Sequence, residues 1–192
     1  MDTRITLQRT GLLIAALYLG ACALSPQVVQ IQPQLEPVQS AAGMPPASVA
    51  LEVADTRAEP VVGYRGGVYA TAGISTAADM ANTVRSALAG ALSARGLRVV
   101  EPGQAGDIRL RVEIAELSYA ARQENVKRVI ETSATVRATS VGSTLTRTGE
   151  YRDRRTKEVL KPPSEAENAA LVNAVLSAAL QRLVADPDLL KH

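Results

Sequence analysis

Apolar and polar residues begin to alternate at Ser48. Val49, Leu51 and Val53 point one way, Ala50, Glu52 and Ala54 the other, the period of a strand with one covered face over 48–57. Val61 to Ile74 is Gly-rich and predicts a hairpin turning at Gly66-Gly67. The period then lengthens. Met80, Val84, Ala87, Leu88, Ala91 and Leu92 share one helical face, predicting a helix over 76–95. Thr76-x-x-Asp79 resembles a capping box at its start, and Gly96 stops it. A short strand over 97–100 ends in Glu101-Pro102-Gly103. The clearest alternation follows over 107–119, with Ile108, Leu110, Val112 and Ile114 opposite Arg109, Arg111 and Glu113. A Thr- and Val-rich strand over 126–141 turns at Gly142-Ser143 into another over 144–157. The closing helix, 164–185, carries Val172, Val175, Leu176, Ala179, Leu180 and Leu183 on one face, opens with Ser164-x-x-Glu167, and has Pro187 just beyond it. The expected fold class is α+β: a two-layer sandwich in which an antiparallel β-meander sheet is packed by two helices.

The first residues read as an address. Arg4 and Arg9 precede the apolar run Gly11 to Ala21, which is shorter than the roughly 20 residues a spanning helix needs and fits the core of a secretory signal. The run ends in Leu19-Gly20-Ala21-Cys22, which resembles the lipobox of bacterial lipoproteins, where the Cys is lipidated and the signal is cut between residues placed as Ala21 and Cys22 are here. An ordinary signal peptide would leave the position of the single Cys to chance. The expected organisation is a signal over 1–21, a lipidated Cys22 with a Pro- and Gln-rich tether over 22–46, and one α+β periplasmic domain over 47–192. As a flexible coil the tether would span about 27 Å, as polyproline II about 75 Å. Val28 to Leu35 partly alternates, and an edge strand there stays open. In many Gram-negative lipoproteins an Asp after the Cys retains the protein in the inner membrane. Ala23 stands there, so the resemblance implies an outer-membrane anchor facing the periplasm.

Composition narrows the chemistry. With 21 basic and 19 acidic residues the formal charge is +2, too balanced for a dedicated nucleic-acid binder. One Cys and one His, the terminal His192, leave no disulfide framework, no multi-thiolate metal site and no internal nucleophile–His pair. No catalytic residue, metal or cofactor is expected.

The chain resembles the YajG-type lipoproteins of proteobacteria along its whole length. The resemblance rests on Leu19-Gly20-Ala21-Cys22, Val53-Ala54-Asp55-Thr56-Arg57, Leu92-Ser93-Ala94-Arg95-Gly96-Leu97, Tyr119, Gln123-Glu124-Asn125-Val126 and the run Asn168 to Asp186. It implies an outer-membrane or periplasmic lipoprotein without an established activity. Small envelope lipoproteins of similar layout serve transport or export machines, which by analogy implies a partner-binding role.

Two clusters are candidate sites. Asp55 and Arg57 leave the first strand together, as a polar binding site or as an Asx-turn with a local ion pair. In an up-down-up meander Arg122, Lys127 and Arg128 share one end with Arg152, Arg154, Arg155 and Lys157. That rim would attract anionic lipid, lipopolysaccharide or peptidoglycan, or it would be an ordinary solvated sheet edge. Tyr64 and Tyr69 flank the hairpin turn. The expected function is a non-catalytic interaction or docking domain, anchored to the membrane through Cys22, with an envelope protein or peptidoglycan as partner. The alternative is an accessory module binding an anionic lipid, peptidoglycan or polysaccharide beside a transport system. An apolar cavity under the sheet would favour the second.

Overall fold

The computed structural model describes residues 25–38, 47–66, 69–101 and 103–191. In chain order its elements are β1 (Gln27–Val29), β2 (Ser48–Asp55), β3 (Val61–Gly66), β4 (Tyr69–Thr76), α1 (Met80–Ala94), β5 (Arg98–Val100), β6 (Ile108–Glu124), β7 (Lys127–Val141), β8 (Thr146–Val159) and α2 (Glu165–Ala185).

The strands form one mixed sheet, and β6 organises it. One edge of β6 pairs antiparallel with β7 from Arg109↔Val141 to Glu124↔Lys127, and β7 pairs antiparallel with β8. The other edge is shared. Its first half takes β2 in parallel, from Val49↔Ile108 to Asp55↔Ile114, and its second half takes β3 in parallel at Gly63↔Tyr119. A bulge between Ile114 and Glu116 sits where the partner changes, adding the local bend that a switch of neighbour needs. Outward from β2 lies β5, parallel; outward from β3 lie β4, antiparallel, and β1, parallel to β4.

This corrects the expected fold class. The described residues are 47% strand and 23% helix in a curled, mixed parallel and antiparallel half-barrel sheet, not an antiparallel meander sheet packed by two helices. Only β6–β7–β8 forms a meander. The route from β2 to β5 passes through a hairpin and α1, long enough to return the chain to the end where β2 began, so β5 enters parallel.

Both helices cover one face. Ile108, Leu110, Val112 and Ile114 of β6 and Ala134, Val136 and Ala138 of β7 are buried against Val84, Leu88 and Leu92 of α1 and Val172, Leu176, Leu180 and Leu183 of α2. By length and composition alone α2 would cross a membrane, but its apolar stripe is part of this core. The capping box at Ser164 forms: Glu167 N donates to Ser164 Oγ and Ser164 N to Glu167 Oε2, at 3.3 and 2.8 Å. The one expected at Thr76 does not. Thr76 is the last residue of β4, its N–H donating to Pro60 O at 3.0 Å, and α1 starts after Asp79 with no side-chain cap. Asn125 takes φ of 52° in the turn from β6 to β7, which a two-residue hairpin loop demands.

The question left open at residues 28–35 has a structural answer. Gln27–Val29 is an edge strand, and the segment after it lies along α2. Gln32 N, Gln34 N and Glu36 N donate to Asn173 Oδ1, Ser177 Oγ and Gln181 Oε1 at 2.7, 2.9 and 2.8 Å. The match is geometric. Four residues of helix advance about 6.0 Å and two of extended chain about 6.2 Å, so side chains at i, i+4 and i+8 meet every second backbone amide. Ile31 and Pro33 turn inward between these bonds and are buried.

Candidate functional site

The face of β6–β7–β8 away from the helices has no cover among the described residues. Alternation and register decide what it shows: Glu116, Ser118, Ala120 and Arg122 of β6 lie beside Thr135, Ser133, Glu131 and Val129 of β7, and these beside Arg152, Arg154, Thr156 and Glu158 of β8. Charges of opposite sign interleave. Arg122 donates to Glu124 at 2.7 Å and to Glu131; Arg154 donates to Glu131 at 2.9 Å. Arg137 and Arg152 share Glu150, and Lys127 meets Glu158 at 2.6 Å. The two guanidinium hydrogen bonds hold Glu131 below the usual carboxylate range, and those of Arg137 and Arg152 do the same for Glu150, with Arg137 the larger influence.

At the middle of this face lies a cluster of hydroxyls around one carboxylate. Ser118 Oγ and Ser133 Oγ are 2.7 Å apart, and Ser133 Oγ and Thr135 Oγ1 donate to the two oxygens of Glu116 at 3.1 and 3.2 Å. Arg152 and Arg154 border it, and the open depression, whose lining extends to Asp153 and Arg182, measures about 680 Å³. It presents fixed acceptors, hydroxyls and guanidinium donors over a wide mouth. Such a surface hydrogen-bonds a polar partner; it has neither an activated nucleophile nor a closed pocket. Among the described residues no group of three or more His, Cys, Asp or Glu is placed to hold a metal.

The seven cations of the expected rim do not gather. Register runs Arg128↔Val159 to Thr135↔Arg152, so Arg152 lies about 23 Å along the strand from the level of Arg128. Arg122, Lys127, Arg152 and Arg154 are on the open face, each with a carboxylate. Arg155 and Lys157 alternate to the helix side, where Arg155 and Arg182 flank Asp153 at 2.9 and 2.8 Å. Arg128 is buried, donating to Arg65 O at 2.7 Å.

Asp55 and Arg57 do meet, as a clamp. Arg57 Nε and Nη2 donate to Asp55 Oδ1 and Oδ2 at 2.9 and 2.8 Å, and Nη2 also to Thr76 Oγ1 at 2.8 Å. The Arg57 side chain is only 6% exposed, so this pair joins the end of β2 to the end of β4 rather than facing a ligand. Burial pushes the Asp55 carboxyl up, but the hydrogen bonds and charge of Arg57 outweigh it and hold it below the usual range. Tyr64 is exposed on β3. Ala21, Cys22 and Gly67 lie outside the described residues.

The hydroxyl–carboxylate cluster was not visible in sequence. Its members sit on two strands, 15 to 19 residues apart, as ordinary polar positions of an alternating pattern, and only the register across the β6 bulge brings them together.

Comparison with known proteins bears on identity. A family model described as "Uncharacterized lipoprotein" matches residues 33–192. No curated protein matches the chain. A crystal structure from Xanthomonas campestris, 17% identical, covers 82% of this chain and 92% of its own with a TM-score of 0.51, a likeness of fold. A lipoprotein from Neisseria meningitidis, 13% identical, covers 73% of this chain and 100% of its own at a TM-score of 0.39.

Proposed function

We propose that this chain, which belongs to the uncharacterized lipoprotein family matched over residues 33–192, is a non-catalytic docking domain anchored through a lipidated Cys22 and facing the periplasm from the outer membrane. Membership of a lipoprotein family supports a membrane-anchored envelope protein, and the Leu19-Gly20-Ala21-Cys22 motif supplies the attachment point. The YajG-type resemblance is compatible with this and is part of the proposal.

One observation carries the docking role. The sheet has helices and the 30–36 segment on one face, while its three longest strands leave the other face open and lined with ordered, paired charges and hydroxyls. Paired charges in fixed register favour a partner of matching pattern over a diffuse anionic surface. The depression around Glu116, Ser133 and Arg154 also supports the second reading, a binding module for a polysaccharide or peptidoglycan strand, whose hydroxyls and carboxylates those groups would hydrogen-bond.

In-cell photocrosslinking separates the two. Photoreactive groups at Arg152 and Arg154, on the open face, are compared with one at Asn82, on the exposed side of α1. A saturable protein adduct from both face positions, absent from Asn82 and lost in Cys22→Ala, is the expected result. Label on glycan alone would overturn docking in favour of the binding module.

A further inference from the structure

Cys22 is three residues from Ser25, where the described chain enters the fold, so an acylated Cys22 lies within about 10 Å of Ser25. The rest of the Pro-rich segment adds no reach, because Gln27–Val29 is paired to β4 and residues 32–36 are bonded along α2. The position of Ser25 therefore decides which part of the molecule meets the membrane.

Register fixes that position. β1 joins β4 at Gln27↔Ile74, β4 joins β3 at Gly66↔Tyr69, and β3 joins β6 at Tyr64↔Ala120. The N-terminal end of β1 thus points to the same end of the sheet as Gly66, the Asn125 turn and the close of β8. Two hydrogen bonds tie it there: Arg65 Nη1 donates to Ser25 O at 3.4 Å, and Arg128 Nη1 donates to Arg65 O at 2.7 Å.

This end carries two bare apolar side chains. Val126 is 82% exposed and Leu160 83%, more than any other large apolar residue among those described. They stand close along the ladder, since Arg128 pairs with Val159, which puts Val126 two residues before that pair and Leu160 one residue after it. Around them Arg122 pairs with Glu124 and Lys127 with Glu158, and Lys157 and Lys161 act on Glu167. The balance leaves no net repulsion from an anionic leaflet, and lysines beside apolar tips suit a headgroup layer.

We propose that this end of the sheet rests on the membrane that holds the anchor, with Val126 and Leu160 entering the headgroup region. The proposal builds on the lipidated Cys22 reading. Its consequence is orientation: β6, β7 and β8 run away from the membrane, the turn Gly142–Leu145 is distal, and the open polar face looks sideways toward neighbours in the same leaflet.

The test uses the lipidated full chain in vesicles of phosphatidylethanolamine and phosphatidylglycerol containing a nitroxide-labelled phospholipid. Lipidation converts the thiol of the single native Cys to a thioether, so Val126→Cys, Leu160→Cys or Ser143→Cys gives one free thiol for an environment-sensitive fluorophore. These positions are exposed, and substitution there leaves the core intact. Intact mass of the mature protein first scores the anchor by itself. With lipid present on Cys22, quenching at 126 and 160 at least about twofold stronger than at 143 is expected. Equal quenching at all three overturns the membrane-facing end and leaves the anchor standing. A mature chain with no lipid on Cys22 overturns the anchor reading, and the orientation falls with it.

Discussion

Asp55 and Arg57 close the end of β2 by charge as much as by shape. Asp55 is ionised more readily in the folded chain than in the unfolded one, so its contribution is complete above the unfolded value near ~3.9 and is lost as pH falls through the lowered folded value. Asp55→Asn is expected to cost about 1 kcal/mol at neutral pH. Urea unfolding at pH 7 and again in acid checks this: the gap between wild type and variant should close below about pH 4. Asp186 has the same sign. Burial works against its ionisation, but the Tyr151 hydroxyl, donating at 2.6 Å, and the amides of Asp188 and Leu189 lower its pKa. Arg95 shows what a single guanidinium does at a helix end. It is 2% exposed, and its Nη1 donates to Val184 O and, at 3.2 Å, to Asp186 O, satisfying carbonyls that the end of α2 leaves without helical partners. Arg95→Leu should lose about 3 kcal/mol in the same assay, and Arg95→Lys should recover only part of it, because an ammonium lacks the planar fork.

Backbones approach closely where β3 pairs with the second half of β6. A Cβ built on Gly63 would lie 1.8 Å from Tyr119 O, and both sides of that approach are backbone, so nothing can swing aside. Gly63→Ala should therefore destabilise by at least about 3 kcal/mol and loosen the β3–β6 pairing. Gly90 is the contrast. A Cβ there meets nothing within 4 Å, and the residue is inside α1, so Gly90→Ala should raise stability by about 0.5–1 kcal/mol through helix propensity alone. Thermal unfolding of the two variants side by side distinguishes close approach from chain freedom as the reason each glycine stands where it does.

At the scale of the molecule, the segment before the domain is built into it. The Asn173, Ser177 and Gln181 row holds three amides that would otherwise face water. Replacing all three by Ala should cost about 1 kcal/mol for each bond lost. Hydrogen exchange would show faster amides at Gln32, Gln34 and Glu36, with those of β6 and β7 unchanged, and protease sites should open between residues 30 and 38. Unchanged exchange at these amides would mean that Ile31 and Pro33 alone hold the segment. The same docking sets how far the body can stand from Cys22.

How much of this was legible in sequence follows from the range of each interaction. Strand positions in β2, β6, β7 and β8 and the apolar stripe of α2 came from side-chain period. The capping box at Ser164, the stop at Gly96 with φ of 91° and the turn at the Gly66 hairpin came from local geometry. Thr76 misled because its cap pattern is also that of a strand end, and the backbone of β4 won. Parallel pairing stayed hidden, since a strand with one covered face alternates identically whichever way its neighbour runs. The cations looked like one rim because sequence supplies their order but not which face each takes or how far apart register sets them. The sequence by itself therefore determined the elements and the carriers of the core, which depend on residues a few positions apart. Only the tertiary structure decided the curled mixed sheet, the docking of residues 30–36 on α2 and the cluster around Glu116. Each of those depends on backbone groups meeting across long stretches of chain, where register rather than composition sets the partner.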